Sequence, residues 1–301
     1  MNPLANAHRL LLILCTVCLS SFALHGAQEY PPVIEGATAY VYKSVDGVDL
    51  KLWVFTPEGA SSNQAPAMLF FFGGGWNGGT ATQFVRQSQY LAKRGMVGIV
   101  ADYRVKSRHN VRANSCVEDA MDALRYVTAK ANELGIDRDR IGVGGGSAGG
   151  HLAACLGTVY ANDPAAPKAM ALYNPVTVLA PIPSGFAKAP SAVQKLDAMN
   201  ARIKEKEGQL RTRLGVEPLA LSPFHHVSSS WPTAIIFHGT KDETVPYESA
   251  LLFSSQLKAN GVSQYLKTYP GAGHGFFNRE PYFSQTTEEL DRFLVSLGWL
   301  K

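Results

Sequence analysis

The stretch Ile141-Gly142-Val143-Gly144-Gly145-Gly146-Ser147-Ala148-Gly149-Gly150-His151-Leu152-Ala153 decides the fold. Its first part, Ile141 to Gly144, is a short apolar run of the kind that forms a strand buried on both faces. Its last part places Leu152, Ala153 and the following Leu156 at helical spacing. Between them stands Gly145-Gly146-Ser147-Ala148-Gly149, a G-x-S-x-G string that turns strand into helix within a few residues. A serine on so tight a turn projects its hydroxyl, and only small neighbours let the backbone come that close. The helix starting there also presents unpaired N–H groups and a partial positive charge to a developing anion. The pattern predicts a nucleophile elbow, with Ser147 as nucleophile.

The same residues satisfy a second motif, because Gly144, Gly146 and Gly149 read as G-x-G-x-x-G. A dinucleotide site would place that string in the first crossover, with an acidic residue about 20 positions on at the end of the next strand. Here at least four strand patterns precede it, and the next strand ends in Tyr173-Asn174. Nucleotide chemistry is therefore a poor fit, and no cofactor is implied.

Working outward, residues 38–44 and 48–55 are rich in β-branched and aromatic types and flank Asp46-Gly47, a hairpin signal. Ala67 to Phe72 and Met96 to Ala101 are apolar runs separated by a helical pattern from about Thr82 to Lys93, which predicts a parallel crossover. Val117, Ala120, Met121, Leu124 and Val127 mark the next helix, stopped by Gly135. Strands at Ala169–Tyr173, Ala234–Phe237 and Gln264–Tyr269, a helix at Tyr247–Ala259 and a closing helix through Leu290, Phe293, Leu294 and Leu297 complete the alternation. The fold class is α/β: a mostly parallel eight-stranded sheet with helices on both faces. One segment interrupts it, from about Val178 to Trp231, where charged residues from Lys195 to Arg213 alternate with apolar ones in one or two amphipathic helices. An insertion of that length reads as a lid or pocket wall.

A serine needs a base, and the base an acid, in the chain order Ser, Asp, His. His274 lies in Gly273-His274-Gly275-Phe276, on a loop after the last predicted strand. Asp242 lies in Gly239-Thr240-Lys241-Asp242-Glu243, just past another, and the interval between them holds one helix and one strand. Glu243 is an alternative acid, and His151, His225, His226 and His238 are alternative bases, though none follows a strand on a loop as His274 does. No His, Cys and carboxylate spacing resembles a metal site.

The run Phe70-Phe71-Phe72-Gly73-Gly74-Gly75-Trp76 follows the third strand, and its glycines let backbone N–H groups face a substrate oxygen. With Asp102-Tyr103-Arg104, Ser147-Ala148-Gly149-Gly150-His151, His238-Gly239-Thr240-Lys241-Asp242 and Gly273-His274-Gly275-Phe276, it makes the chain resemble the esterase and lipase branch of the α/β-hydrolases that carries an HGGG-type loop. Within that branch it more closely resembles secreted bacterial acetyl and feruloyl carbohydrate-esterase-like proteins. The resemblance implies that Ser147, Asp242 and His274 form the triad and that Gly74, Gly75 and Ala148 donate the oxyanion N–H groups. In one departure, the family's loop histidine is Phe72, so the brace of the glycine loop must come from packing or elsewhere, and packing is the expectation. A prolyl-oligopeptidase-type peptidase and a non-catalytic binding protein are the competing readings; the former usually carries a large extra domain, for which this chain has no room.

The chain of 301 residues, 46% hydrophobic and 17% charged, suits one large globular domain. Its net charge of +4 comes without a dense basic run interleaved with aromatics, which argues against a nucleic-acid partner. His8 and Arg9 precede an apolar run from Leu10 to about Leu19 and then small residues, as in a secretory signal peptide spanning residues 1–27, cleaved after Ala23 or Ala27. The run is too short for a spanning helix, so the mature chain is expected to be secreted or periplasmic and not stably inserted in a membrane. Export would allow a disulfide between Cys116 and Cys155, although both fall in helical patterns that also suit two buried free thiols. The insertion lacks a long apolar run, and Trp76 offers a ring that can either pack on a sugar face or fill the core. The expected substrate is a small ester or an acylated carbohydrate; the oligomeric state is not legible.

Overall fold

The computed structural model describes residues 30–58, 64–186 and 190–301, so the expected signal segment, residues 1–27, lies outside the described residues. Strands β1 (Thr38–Val45) and β2 (Val48–Phe55) pair antiparallel around Asp46 and Gly47, which sit at φ 51° and 75° as a two-residue hairpin turn requires. Next come β3 (Ala65–Phe71), a 3₁₀ turn (Ala81–Phe84) leading into α1 (Val85–Lys93), and β4 (Val97–Ala101). A one-turn helix α2 (Lys106–His109), which the sequence pattern does not predict, precedes α3 (Ala113–Ala129). Strand β5 (Ile136–Gly146) feeds α4 (Ala148–Gly157), followed by β6 (Ala169–Tyr173). The inserted segment holds a single long helix, α5 (Pro190–Leu214), and the chain closes with β7 (Thr233–Gly239), α6 (Tyr247–Ala259), β8 (Gln264–Tyr269) and α7 (Tyr282–Ser296).

The sheet order is β1-β2-β4-β3-β5-β6-β7-β8, with β2 antiparallel to β4 and every pair from β4 through β8 parallel. Parallel strands in register bring their C-terminal loops to one edge. Phe71 pairs with Gly145, Gly146 with Tyr173, Tyr173 with Phe237 and Gly239 with Tyr269. The glycine loop, the serine turn and the loops carrying Asp242 and His274 thus leave the sheet side by side. Strand β5 starts five residues earlier than its apolar run suggests, because Ala65 pairs with Ile136 and the register then shifts before Ala67 meets Ile141.

Strands β4 and β6 are buried along their whole length, as expected for a sheet covered on both faces. Cys116 and Cys155 are both buried and free: the disulfide does not form, and the Cys116 Sγ–H donates to the Arg104 carbonyl at 3.1 Å. Among the described residues no helix is long and apolar enough to cross a membrane.

Candidate active site

Ser147 stands between the last residue of β5 and the first of α4 at φ 53° and ψ −115°, a region that an L-residue occupies only when its surroundings hold it there. The Ser147 N–H donates to the Tyr173 carbonyl on β6 at 2.9 Å, and its carbonyl accepts the His151 N–H at 2.9 Å. Glycine is obligatory around it. A Cβ on Gly149 would strike the carbonyl oxygens of Phe71 and Phe72, and one on Gly145 would strike the Gly149 carbonyl. The turn is therefore wedged between β3 and its own helix.

His274 reaches the serine from the loop after β8. Ser147 Oγ–H donates to His274 Nε2 at 2.9 Å, and His274 Nδ1–H donates to Asp242 Oδ2 at 2.8 Å. Two anchors hold that loop: Gly275 N–H donates to Asn174 Oδ1 at 3.1 Å, and Phe277 is buried against Tyr173 and Phe84 at ring separations of 4.8 and 5.5 Å. Asp242 Oδ1 accepts the N–H groups of Thr244 and Val245 at 2.9 and 2.8 Å. Burial works against the charge on Asp242, but hydrogen bonds from His238, His274 and the Val245 N–H outweigh it and hold the carboxyl well below the usual carboxylate range. An ionised Asp242 fixes the imidazole with its proton on Nδ1, leaving Nε2 free to take one from the serine.

The alternative residues have other duties. Glu243 is exposed on a cavity wall. His238 is buried, donating from Nε2 to the Val245 carbonyl at 2.9 Å, with Asp242 Oδ2 at 3.4 Å. His151 donates from Nε2 to the Leu221 carbonyl at 2.8 Å and accepts the Trp76 indole N–H on Nδ1 at 3.3 Å. His225 and His226 bond to the carbonyls of Pro181 and Leu219 within the inserted segment.

The glycine loop after β3 holds three successive residues at positive φ: Gly74 at 127°, Gly75 at 63° and Trp76 at 58°. The Gly73 N–H is engaged by Gln83 Oε1 at 2.6 Å. The N–H groups of Gly74, Gly75 and Ala148 have no acceptor among the described residues, and Ala148, first in its helix, has none within it. Phe72 is buried with its ring stacked on Tyr103 at 4.1 Å, while the Tyr103 hydroxyl donates to the Phe72 carbonyl at 2.7 Å. Packing does brace the loop, and the Asp102-Tyr103-Arg104 motif supplies the brace. Arg213, from the end of α5, donates from Nη2 to the Gly75 carbonyl at 2.8 Å and lies 5.1 Å over the Trp76 ring. Gln83, Asn174 and Arg213 went unrecognised in the sequence, where an isolated polar residue carries no sign of which carbonyl or N–H it will meet.

Ser147, Ala148, Gly75 and Trp76 open onto a cavity of about 510 Å³, walled on one side by α5 through Met199, Ile203 and Leu210 and on the other by Val176 to Leu179. Gly74 is not part of that wall. Trp76 is only 5% exposed, covered by Arg213 and tied to His151, so it stands within the wall as packing and offers no open platform. Among the described residues no group of His, Cys, Asp and Glu could hold a metal ion.

Residues 52–257 match the model of the BD-FAE family. The chain is 31% identical over 223 residues to esterase LipC of Mycobacterium tuberculosis, covering 70% of this chain and 53% of LipC. It is 29% identical over 261 residues to carboxylesterase NlhH of the same organism, covering 84% of this chain and 79% of NlhH. Esterase Est2 of Thermogutta terrifontis superposes with a TM-score of 0.80 at 42% identity, covering 91% of this chain and 97% of Est2. Est2 structures include complexes with propionate and with butyrate and an enzyme phosphonylated by sarin.

Proposed function

The chain belongs to the BD-FAE family, as a serine carboxylic ester hydrolase of the α/β-hydrolase fold, and from that premise we propose that it is exported and removes short acyl groups, acetyl above all, from carbohydrate esters. The observation that carries the chemistry is the unbroken chain of hydrogen bonds from Ser147 Oγ through His274 to Asp242, at 2.9 and 2.8 Å, opening onto the cavity. In this reading Ser147 Oγ attacks the acyl carbon as its proton passes to His274 Nε2. The carbonyl oxygen, now an anion, takes the N–H groups of Gly75 and Ala148, with Gly74 beside them. Collapse breaks the bond to the alcohol oxygen, which leaves with the proton from His274. Water then repeats the sequence on the acyl-enzyme and frees the acid.

Short acyl chains are supported by the Est2 complexes, whose ligands propionate and butyrate carry three and four carbons. The cavity of about 510 Å³ is lined partly by charged residues of α5, which suits a polar leaving group better than a lipid surface. Export rests on the pattern of residues 1–27. The test compares kcat/KM for acetyl, butyryl and decanoyl 4-nitrophenyl esters and measures acetate released from acetylated xylan. Preference for the decanoyl ester with a rate jump above its solubility limit would make the protein a lipase. Recovery from cell extracts of a full-length chain with an intact N-terminus, and none outside the cytoplasm, would refute export.

A further inference from the structure

Helix α5 sorts its charges. The charged residues of α5 that line the cavity above Ser147, Lys195, Arg202, Lys206 and Arg213, are all cations, while its three acids, Asp197, Glu205 and Glu207, stand outside it together with Lys204 and Arg211. A second cavity of about 720 Å³ adjoins the first, sharing Gly75, Trp76 and Arg213 as walls, and adds Lys106 and Arg112 from the segment around α2 and the start of α3. No acidic residue lines this second cavity; Glu243 and Glu248 line the first on the side of α6. Among the described residues none of Lys195, Arg202, Lys206, Lys106 and Arg112 pairs with an acid, whereas Arg211, outside both cavities, pairs with Glu207 and Glu217. Cations left unpaired along a concave surface concentrate field there and attract an anion. From Lys195 to Arg213 the helical rise alone spans about 27 Å, longer than any small acyl group requires.

We propose that the two cavities are two lobes of one site for an acylated, carboxylate-bearing carbohydrate. This rests on the carbohydrate-ester reading above. The acyl group sits at Ser147, and the uronate-type carboxylates of the leaving chain lie along the cations of α5, Lys106 and Arg112. Asn77, Asn110, Gln209 and Thr212 complete the second lobe with amide and hydroxyl groups that suit sugar hydroxyls. A single-stranded nucleic acid would want exposed aromatic faces for base stacking, and the one aromatic in this lobe, Trp76, is buried.

The experiment uses an acetylated oligogalacturonide and the same oligomer with its carboxylates converted to amides, alongside 4-nitrophenyl acetate and acetylated xylan. The expected result is kcat/KM for the acidic oligomer about tenfold or more above the amide form at low salt, collapsing at high ionic strength as steering is screened. The double variant Lys106→Gln/Arg112→Gln should lose that preference while its turnover of 4-nitrophenyl acetate and its melting temperature stay at wild-type values. Equal turnover of the two oligomers, or a preference that survives high salt and the double variant, overturns the proposal while leaving the carbohydrate reading intact if acetylated xylan is cleaved. If no acetylated carbohydrate is cleaved although 4-nitrophenyl acetate is, the carbohydrate reading fails and this inference falls with it.

Discussion

The helix behind the nucleophile and the helix over the cavity make opposite use of the same secondary structure. Every residue of α4 is buried, with Gly149 and Gly150 packed close to the carbonyls of Phe71 and Gly145, Gly157 packed against Met170 and Pro232, and His151 bonded at both ring nitrogens. Helix α5 has Leu196, Ile203 and Leu214 as its buried residues among the described side chains, and most others face solvent or the cavity. Buried backbone and small side chains fix the reacting atoms to within the tolerance that proton transfer demands. The exposed charged side chains of α5 are the ones proposed above to select what approaches those atoms. Helix α5 reaches the glycine loop through Arg213, which donates to the Gly75 carbonyl.

If chemistry resides in the first region alone, its variants should separate activity from stability in a predictable order. Ser147→Ala should lower kcat by several orders of magnitude with an unchanged melting temperature. Retention of more than about a tenth of wild-type activity would place the chemistry elsewhere. Phe72→Ala should cost roughly 3 to 5 kcal/mol by chemical denaturation, because it empties a buried site stacked on Tyr103. An unchanged denaturation midpoint would contradict the packing brace.

His151 makes the comparison pH-dependent. Burial pushes its imidazole down to about 4 from the ordinary 6.5, against the raising effect of the Leu221 carbonyl. Between those values the unfolded chain binds the proton that the folded one refuses, so this contribution is complete above about pH 6.5 and is lost as pH falls toward 4. The loss amounts to something of order 3 kcal/mol. Unfolding free energies measured from pH 7 to 5 should fall more steeply in the wild type than in His151→Gln; parallel curves would mean that the histidine is not held neutral.

The smallest effect belongs to the contact of α5 with the glycine loop. Arg213→Met removes the donor to Gly75 and should reduce kcat by roughly tenfold, as a hydrogen bond from a charged group is worth about 1.5 to 3 kcal/mol. KM for 4-nitrophenyl acetate should change less than kcat, and Arg213→Lys should restore part of the loss. A change confined to KM would make Arg213 a substrate contact with no part in positioning the loop.

Strand order in the chain, the G-x-S-x-G turn and the setting of His274 and Asp242 after strands are all local patterns, and they determined the α/β sheet and the residues gathered at its edge. Apolar periodicity marks the strands and helices because burial acts residue by residue along the chain. What remained open depends on which distant groups meet. Whether Cys116 and Cys155 bridge, whether Trp76 is platform or packing, and which of five histidines faces the serine are questions of separation in space. The tyrosine that braces Phe72 and the arginine that holds Gly75 lie 31 and 138 residues away from their partners. A hydrogen bond of that span leaves no period or spacing in the sequence, because it exists only once the strands have carried both ends to the same place.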